Sequence, residues 1–282
     1  NSYSYTLPGT GLKATSVMWS FGCPFNCSFC CGRELEFFRK LRVRPPTDIA
    51  NELAYLASHY GLMAFQIYDD EVNIRKSWLR EVCSLIAKKG YQWRCFIKAN
   101  LFDLETATGM AAAGCVEVCT GVESGSNRIL KEVIQKKTTY AINLAARLTA
   151  AVAGLRFKAF CMVGHPSETY ADVMMTRDWL LDARPDDFDV TILSPMPGSP
   201  IYNQRFPENI RRDLPVGKWP VFELQFSDED FTTEPSYYKS VPGEYTAWTA
   251  TPTLTSTDLV KLRDQIDAEV RLKLGIAKVS RE

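Results

Sequence analysis

Short apolar runs alternate with stretches whose apolar positions recur at helical spacing, the arrangement expected of repeated βα units around a parallel sheet. Strands are expected at residues 16–20, 64–68, 93–97, 116–120, 158–163 and 188–193. Between them, Thr47 or Asp48 is expected to cap a helix in which Ile49, Leu53, Leu56 and Ala57 share a face. Further helices are expected at 75–89, closed by Gly90, at 104–113, ending at Gly114, in segments running through Ala153, and at 168–183. Pro195, Pro197, Gly198 and Pro200 stop the last strand. Beyond them the pattern is less regular, except for a helix expected at 257–274 with Ser256 as its cap.

Right-handed crossovers between successive parallel strands would curl six of them into an open α/β barrel. Chemistry in such barrels gathers at the C-terminal strand ends. Each polar or Gly-rich motif of this chain falls at such an end. The barrel is expected over residues 1–200, with residues 201–282 as a C-terminal extension packing on it.

Length and composition agree with that reading: 282 residues, 46% hydrophobic and 23% charged, suit a sizeable core. Lys plus Arg and Asp plus Glu are equal at 33 each, so no overall field favours nucleic acid or an anionic membrane surface. A basic run of Arg33, Arg39, Lys40, Arg42 and Arg44 reads as a solvated face or as a local seat for phosphate or carboxylate. No long apolar stretch and no signal-peptide pattern is present. The nine Cys are dispersed and odd in number, unlike a secreted disulfide framework, and a reducing cytoplasm is expected. The chain opens at Asn1 rather than Met, as an excised piece of a longer polypeptide would.

The most informative string is Cys23-Pro24-Phe25-Asn26-Cys27-Ser28-Phe29-Cys30, which follows the first apolar run. Its three thiols at CxxxCxxC spacing suggest an iron-sulfur cluster, and three ligands where four are usual leave one iron open to a non-protein group. Zinc, a disulfide pair and a chance pattern are the competing readings. With only His59 and His165 in the chain, a second zinc-binding unit is hard to assemble.

Cys23, Cys27, Phe29 and Cys30 together match CxxxCxφC with φ aromatic, and on these residues the chain resembles the radical S-adenosylmethionine (SAM) superfamily. The resemblance implies a partial (β/α)6 TIM-like barrel, a 4Fe-4S cluster held by Cys23, Cys27 and Cys30, and SAM bound at the open iron beside Phe29. It also implies reductive cleavage of SAM to methionine and a 5'-deoxyadenosyl radical that abstracts hydrogen from substrate. No Cys follows Cys161, so a single cluster is expected, and Cys31 is expected to be a spectator.

Further motifs extend the resemblance across most of residues 16–200. Asp69-Asp70-Glu71 stands where the family often has GGE, the segment that holds the SAM amino group. Two Asp in place of two Gly resemble the cobalamin-associated subgroup. A solvated turn with Asp as helix cap is the plainer alternative. Glu123 and Ser124 in Gly121-Val122-Glu123-Ser124-Gly125 resemble the GxESG segment that reaches SAM. Met162 and Gly164, with Phe160, Pro166 and Glu168, resemble the GxPxE segment that meets adenine, although Met162 fits an ordinary core equally well. Pro195-Met196-Pro197-Gly198-Ser199-Pro200 resembles the subgroup's PxPGT stretch.

For substrate chemistry, Lys98 and His165 are the expected catalytic residues, with Asn100 and Tyr202 as further candidates at strand ends. The leading expectation is a radical SAM oxidoreductase or lyase that abstracts hydrogen from a small sugar-like or natural-product metabolite, ending in dehydration, dehydrogenation or epimerisation. A one-electron donor such as flavodoxin or ferredoxin is the implied partner. Only 22 residues precede Cys23, too few for the Rossmann-like cobalamin module of the subgroup, so the catalytic portion of a cobalamin-dependent methyltransferase is the alternative. A non-catalytic iron-sulfur or zinc protein is the third reading.

Overall fold

A computed structural model describes residues 5–196, 199–205, 243, 247 and 249–277, without the side chains of 33–34 and 203–205. Pro197, Gly198 and most of the expected extension lie outside the described residues. In chain order the strands are β1 (Tyr5–Thr6), β2 (Lys13–Val17), β3 (Ser20–Phe21), β4 (Arg42–Val43), β5 (Ala64–Ile67), β6 (Gln92–Phe96), β7 (Cys115–Glu123), β8 (Arg156–Val163) and β9 (Asp187–Ile192). The helices are α1 (Glu36–Arg39), α2 (Pro46–Tyr60), α3 (Lys76–Ile86), α4 (Leu104–Ala112), α5 (Tyr140–Val152), α6 (Tyr170–Ala183), α7 (Pro200–Arg205) and α8 (Ser256–Leu274). A wide-turned π-helical segment spans Ile129–Ile134.

Hydrogen bonding orders seven strands β1-β2-β5-β6-β7-β8-β9. The β2–β5, β5–β6 and β6–β7 pairs are parallel, and β1 lies antiparallel to β2. Strands β3 and β4 form a separate antiparallel pair. The chain forms two interleaved compact units: Asn1–Pro24, Phe37–Gly121 and Ile142–Lys158 in one, and Phe25–Glu36, Val122–Ala141 and Ala159–Glu282 in the other.

In the first unit β5 is buried along its whole length, as a strand covered on both faces must be, which is why its residues are apolar apart from Gln66. Its neighbour α3 buries Trp78, Leu79, Val82, Cys83 and Ile86, one face at helical spacing. The expected strand 16–20 is instead divided between β2 and β3. Tyr68 N donates to Val17 O at 2.9 Å, but the next amides turn away from the ladder because Trp19 N donates to the Asp69 side chain at 2.7 Å. β1 is not foreseen from the sequence, since a two-residue strand carries no periodicity of its own. Helix α2 starts at Pro46 with Pro45 at its N-cap, rather than at Thr47 or Asp48. Proline is pre-set for the first helical turn and needs no donor there.

In the second unit β8 enters from the first with strict alternation of buried and half-buried positions. Thr169 and Asp172 form a capping box at the start of α6, so the helix expected from 168 begins at Tyr170. Thr255 and Asp258 do the same for α8, in place of the expected cap Ser256. Helix α8 packs on β9 and α6, burying Leu259, Ile266 and Val270. Its Arg271 is buried and satisfied by Asp267 Oδ1 (2.9 Å), Asp187 Oδ1 (3.2 Å) and Phe188 O (2.6 Å).

Candidate functional site

The thiol loop begins immediately after β3. Gly22 has φ +96°, and a Cβ there would stand 2.4 Å from the backbone oxygen of Lys40, so only glycine fits. Gly22 N donates to Asp70 Oδ2 at 3.0 Å and Cys23 N to Phe38 O at 2.8 Å, which holds this part of the loop within the first unit. In the second unit Cys30 N donates to Cys27 O at 3.2 Å, closing a turn. Between those two cysteines Ser28 donates twice, from N to Ile134 O (2.9 Å) and from Oγ to Val133 O (2.6 Å). Phe29 packs on Ile129, Leu130 and Ile134. The aromatic position of the motif therefore seats the loop on the π-helical segment.

Cys23 and Cys27 are half-buried, Cys30 and its neighbour Cys31 are exposed, and none of the nine cysteines is in a disulfide. Among the described residues, no three Cys, His, Asp or Glu side chains gather as ligands of one metal ion. A cluster takes one thiolate per iron, so its ligands stand farther apart than those of a single ion.

The acidic turn after β5 is engaged within the first unit. Asp69 is buried, and its Oδ1 and Oδ2 accept from Trp19 N (2.7 Å) and Ser20 Oγ (2.6 Å). Burial raises its pKa, and those hydrogen bonds oppose the rise. Asp70 is exposed and holds Gly22. Glu71 Oε1 stands 3.7 Å from Nζ of Lys98, which is almost wholly buried beyond the end of β6. Asn73 braces this turn, accepting from Lys98 N at 2.7 Å and donating to Lys98 O at 3.0 Å. Asn100, two residues on, is exposed.

In the second unit Glu123 sits at the end of β7 in a left-handed conformation, φ +64°, and is buried. Its Oε1 accepts from Lys136 Nζ at 2.9 Å. Ser124 is fully buried beside Thr176 of α6, and Gly125 N donates to Thr176 Oγ1 at 2.9 Å. A Cβ on Gly125 would lie 2.0 Å from Met175 O, so this glycine serves the contact with α6. A cleft of about 760 Å³ opens there, lined by residues that include Ser126, Arg128, Tyr140, Thr169 and Met175. Arg128 is committed within it to Asp172 and to Ser167 O (2.9 Å).

Past β8, Gly164 has φ +87°, and its amide and that of His165 both donate to Glu168 Oε2, at 2.5 and 3.1 Å. Burial pushes the Glu168 carboxyl up to about 8 against those bonds. Burial also takes His165 down to about 4, so its ring is neutral at neutral pH. Met162 is half-buried, and Tyr202 is half-buried in α7, its amide donating to Ser199 Oγ at 3.3 Å. In the basic run, Arg42 stacks on Phe37 (3.7 Å) and Phe21 (4.6 Å), and Arg44 pairs with Glu52 at 2.5 Å. Lys136 is a partner of a candidate site residue, Glu123, that sequence reasoning missed. A lysine thirteen positions past a carboxylate carries no periodic signal, and only the course of the π-helical segment brings the two together.

A family model described as the Radical SAM superfamily matches residues 17–180, more than half of the chain. The chain belongs to the radical SAM superfamily. Among its relatives, an uncharacterized methyltransferase from Pyrococcus horikoshii is 30% identical over 79% of this chain and 49% of its own length. An anaerobic magnesium-protoporphyrin IX monomethyl ester cyclase from Cereibacter sphaeroides is 27% identical over 72% of this chain and 34% of its own. The radical SAM methyltransferase TsrM from Kitasatospora setae, solved with cobalamin and a [4Fe-4S] cluster bound, superposes with a TM-score of 0.67 at 18% identity, covering 78% of this chain and 43% of that one. The fold is thus the partial (β/α) barrel of radical SAM enzymes. This chain spans about half or less of the length of these proteins.

Membership of the superfamily makes a [4Fe-4S] cluster and SAM the cofactors, and the donor set fits: three thiols outside any disulfide, on one loop, tied at Gly22, Cys23 and Ser28. The zinc reading falls with it. No described helix is long and apolar enough to cross a membrane.

Proposed function

We propose that this chain is the catalytic core of a radical SAM enzyme that methylates a small organic molecule at an unactivated carbon, with cobalamin as methyl carrier. The radical SAM part rests on one observation above all: a three-thiol loop whose Ser28 and Phe29 are seated on the 129–134 segment. Methyl transfer is supported by the names of the Pyrococcus relative and of TsrM.

When bound, the cluster supplies one electron to the SAM sulfonium. Cys23, Cys27 and Cys30 are its ligands in this reading. Asp69 and Asp70 fix the backbone on which Cys23 sits, through Trp19, Ser20 and Gly22. Glu123 and Ser124 offer a carboxylate and a hydroxyl to the polar end of SAM, while Met162 and Gly164 offer an apolar face and close backbone approach to adenine. His165, neutral and fully buried, packs the turn that presents Gly164 and is a positioning group rather than a proton carrier in this reading.

A second reading keeps the same cofactors but ends in dehydration, dehydrogenation or epimerisation after hydrogen abstraction. The Lys98–Glu71 pair, 3.7 Å apart, favours the first two outcomes, because dehydration and dehydrogenation both move a proton beside the substrate and an amine and a carboxylate are the groups that do so. In either reading a reducing compartment such as the cytoplasm suits the protein, and flavodoxin or ferredoxin suits the electron supply.

The test is anaerobic reconstitution of the full-length protein with iron and sulfide, followed by SAM and dithionite. Release of methionine and 5'-deoxyadenosine above a Cys27→Ala control is expected. S-adenosylhomocysteine that forms only with added cobalamin supports methyl transfer, whereas deoxyadenosine alone in every condition favours the second reading. Neither product above the control overturns both.

A further inference from the structure

The segment from Ile129 to Lys136 touches both halves of the proposed SAM site in the second unit. Its carbonyls at Val133 and Ile134 receive Ser28, and its side chains Ile129, Leu130 and Ile134 receive Phe29, the two residues between Cys27 and Cys30. Two residues after Ile134 the same segment delivers Lys136 to Glu123. The delivery uses uncommon backbone. The wide π turn ends at Gln135 with φ +56°, and the receiving residue, Glu123, has φ +64°; neither is glycine. Non-glycine residues in that region persist only where surrounding contacts over-determine them, and both wide turns and such residues concentrate at functional sites. Glu123 has no need of this conformation to end a strand. The conformation aims its carboxylate at Lys136, and both side chains are nearly fully buried, so the pair is shielded from water and its geometry is firm.

We propose that Lys136 is a positioning residue of the SAM site: it locks the Glu123 carboxylate in place and, through the 129–134 segment, ties that carboxylate to the loop bearing Cys27 and Cys30. The inference rests on the reading that SAM binds beside Glu123. Loop and carboxylate are then one mechanical unit, so a displaced Glu123 disturbs SAM binding and a displaced Ser28 or Phe29 disturbs Glu123.

Three variants of the full-length, reconstituted protein test this. Lys136→Met removes the charge at similar bulk, Lys136→Arg keeps it, and Lys136→Met with Glu123→Gln removes charge from both sides. SAM affinity is read by isothermal titration, and the change that SAM causes in the electron paramagnetic resonance spectrum of the reduced cluster is read alongside. Lys136→Met is expected to bind SAM at least tenfold more weakly and to show a muted spectral change at unaltered iron content, while Lys136→Arg stays close to wild type. The double variant is expected to regain the melting temperature of wild type without regaining SAM affinity. It carries the test if Lys136→Met alone does not fold.

Wild-type affinity in Lys136→Met or in the double variant overturns the proposal. So does equal loss in the Met and Arg variants, which would show that a positive charge at this position does not hold the site. A wild-type protein that binds no SAM overturns the underlying site reading instead, and the two failures are thereby distinguished.

Discussion

The carboxylate of Asp70 accepts a hydrogen bond from the amide of Gly22 at 3.0 Å, which joins the acidic turn after β5 to the residue that precedes the first cysteine of the thiol loop. Positions 48 apart in the chain thus share one structural duty. Asp69 extends it to Trp19 and Ser20, so the whole approach to the thiol loop is clamped by this turn.

Gly22→Ala is expected to break that approach. The new methyl would meet the Lys40 and Phe38 oxygens at 2.4 and 2.9 Å, both backbone atoms, at a φ that L residues disfavour. The backbone strain alone costs about 1–3 kcal/mol. Iron bound per chain after reconstitution should fall well below wild type, and wild-type iron content would refute the clamp.

Asp69→Ala is expected to destabilise the apo-protein by about 1–3 kcal/mol for each buried donor it strands, the Trp19 amide and the Ser20 hydroxyl. Asp69→Asn keeps one acceptor oxygen and should cost less. Urea unfolding midpoints check the order Ala below Asn below wild type.

The Gly164–Glu168 turn carries a pH signature with two signs. His165 is lowered from 6.5 to about 4, so its contribution is present above pH 6.5 and is lost as pH falls toward 4. Glu168 is raised from 4.5 to about 8, so its contribution is complete below pH 4.5 and is lost as pH rises toward 8. Each amounts to a few kcal/mol, since a tenfold change in proton affinity between folded and unfolded chain is worth about 1.4 kcal/mol. Glu168→Gln mimics the neutral acid and should flatten the alkaline fall in stability while leaving the acid limb intact. Unfolding free energy of the apo-protein, followed from acid to mildly alkaline pH, reads both limbs. An alkaline limb unchanged in Glu168→Gln would remove Glu168 as its source.

Glu117 lies between Arg94 Nη1 and Arg156 Nε, each 3.3 Å from a carboxylate oxygen, and is almost wholly buried. Burial opposes the charge on Arg94, but Cys119, Glu117 and the Tyr5 hydroxyl hold it protonated. Glu117→Ala therefore leaves a buried cation without its carboxylate, at a cost of about 3–5 kcal/mol. Glu117→Gln should cost less. Chemical denaturation measures both, and a loss under about 1 kcal/mol for the alanine variant would show that the group relaxes.

Much of this arrangement is legible in the sequence. The strands near 64–68, 93–97 and 188–193 and the final helix follow from periods of two and 3.6 residues, which depend on neighbours in the chain. The thiol loop is legible for the same reason, since Cys23, Cys27, Phe29 and Cys30 are close in sequence. Caps are less so: Pro45 caps α2 and Thr255 caps α8, one to three positions from the expected residues, because packing selects where each helix begins.

What the chain determined unaided is the alternation of strands and helices, the polar turns at strand ends and three thiols with an aromatic between the last two, all of them properties of short stretches. What only tertiary structure decided is who partners whom: Asp69 with Trp19 and Ser20, Asp70 with Gly22, Lys98 with Glu71, Lys136 with Glu123. The reason is physical. A carboxylate or lysine has no periodic signature, and its partner is whichever opposite group the packed strands and wide turns carry into the same dry space, where leaving it unpaired would cost more than the fold can spare.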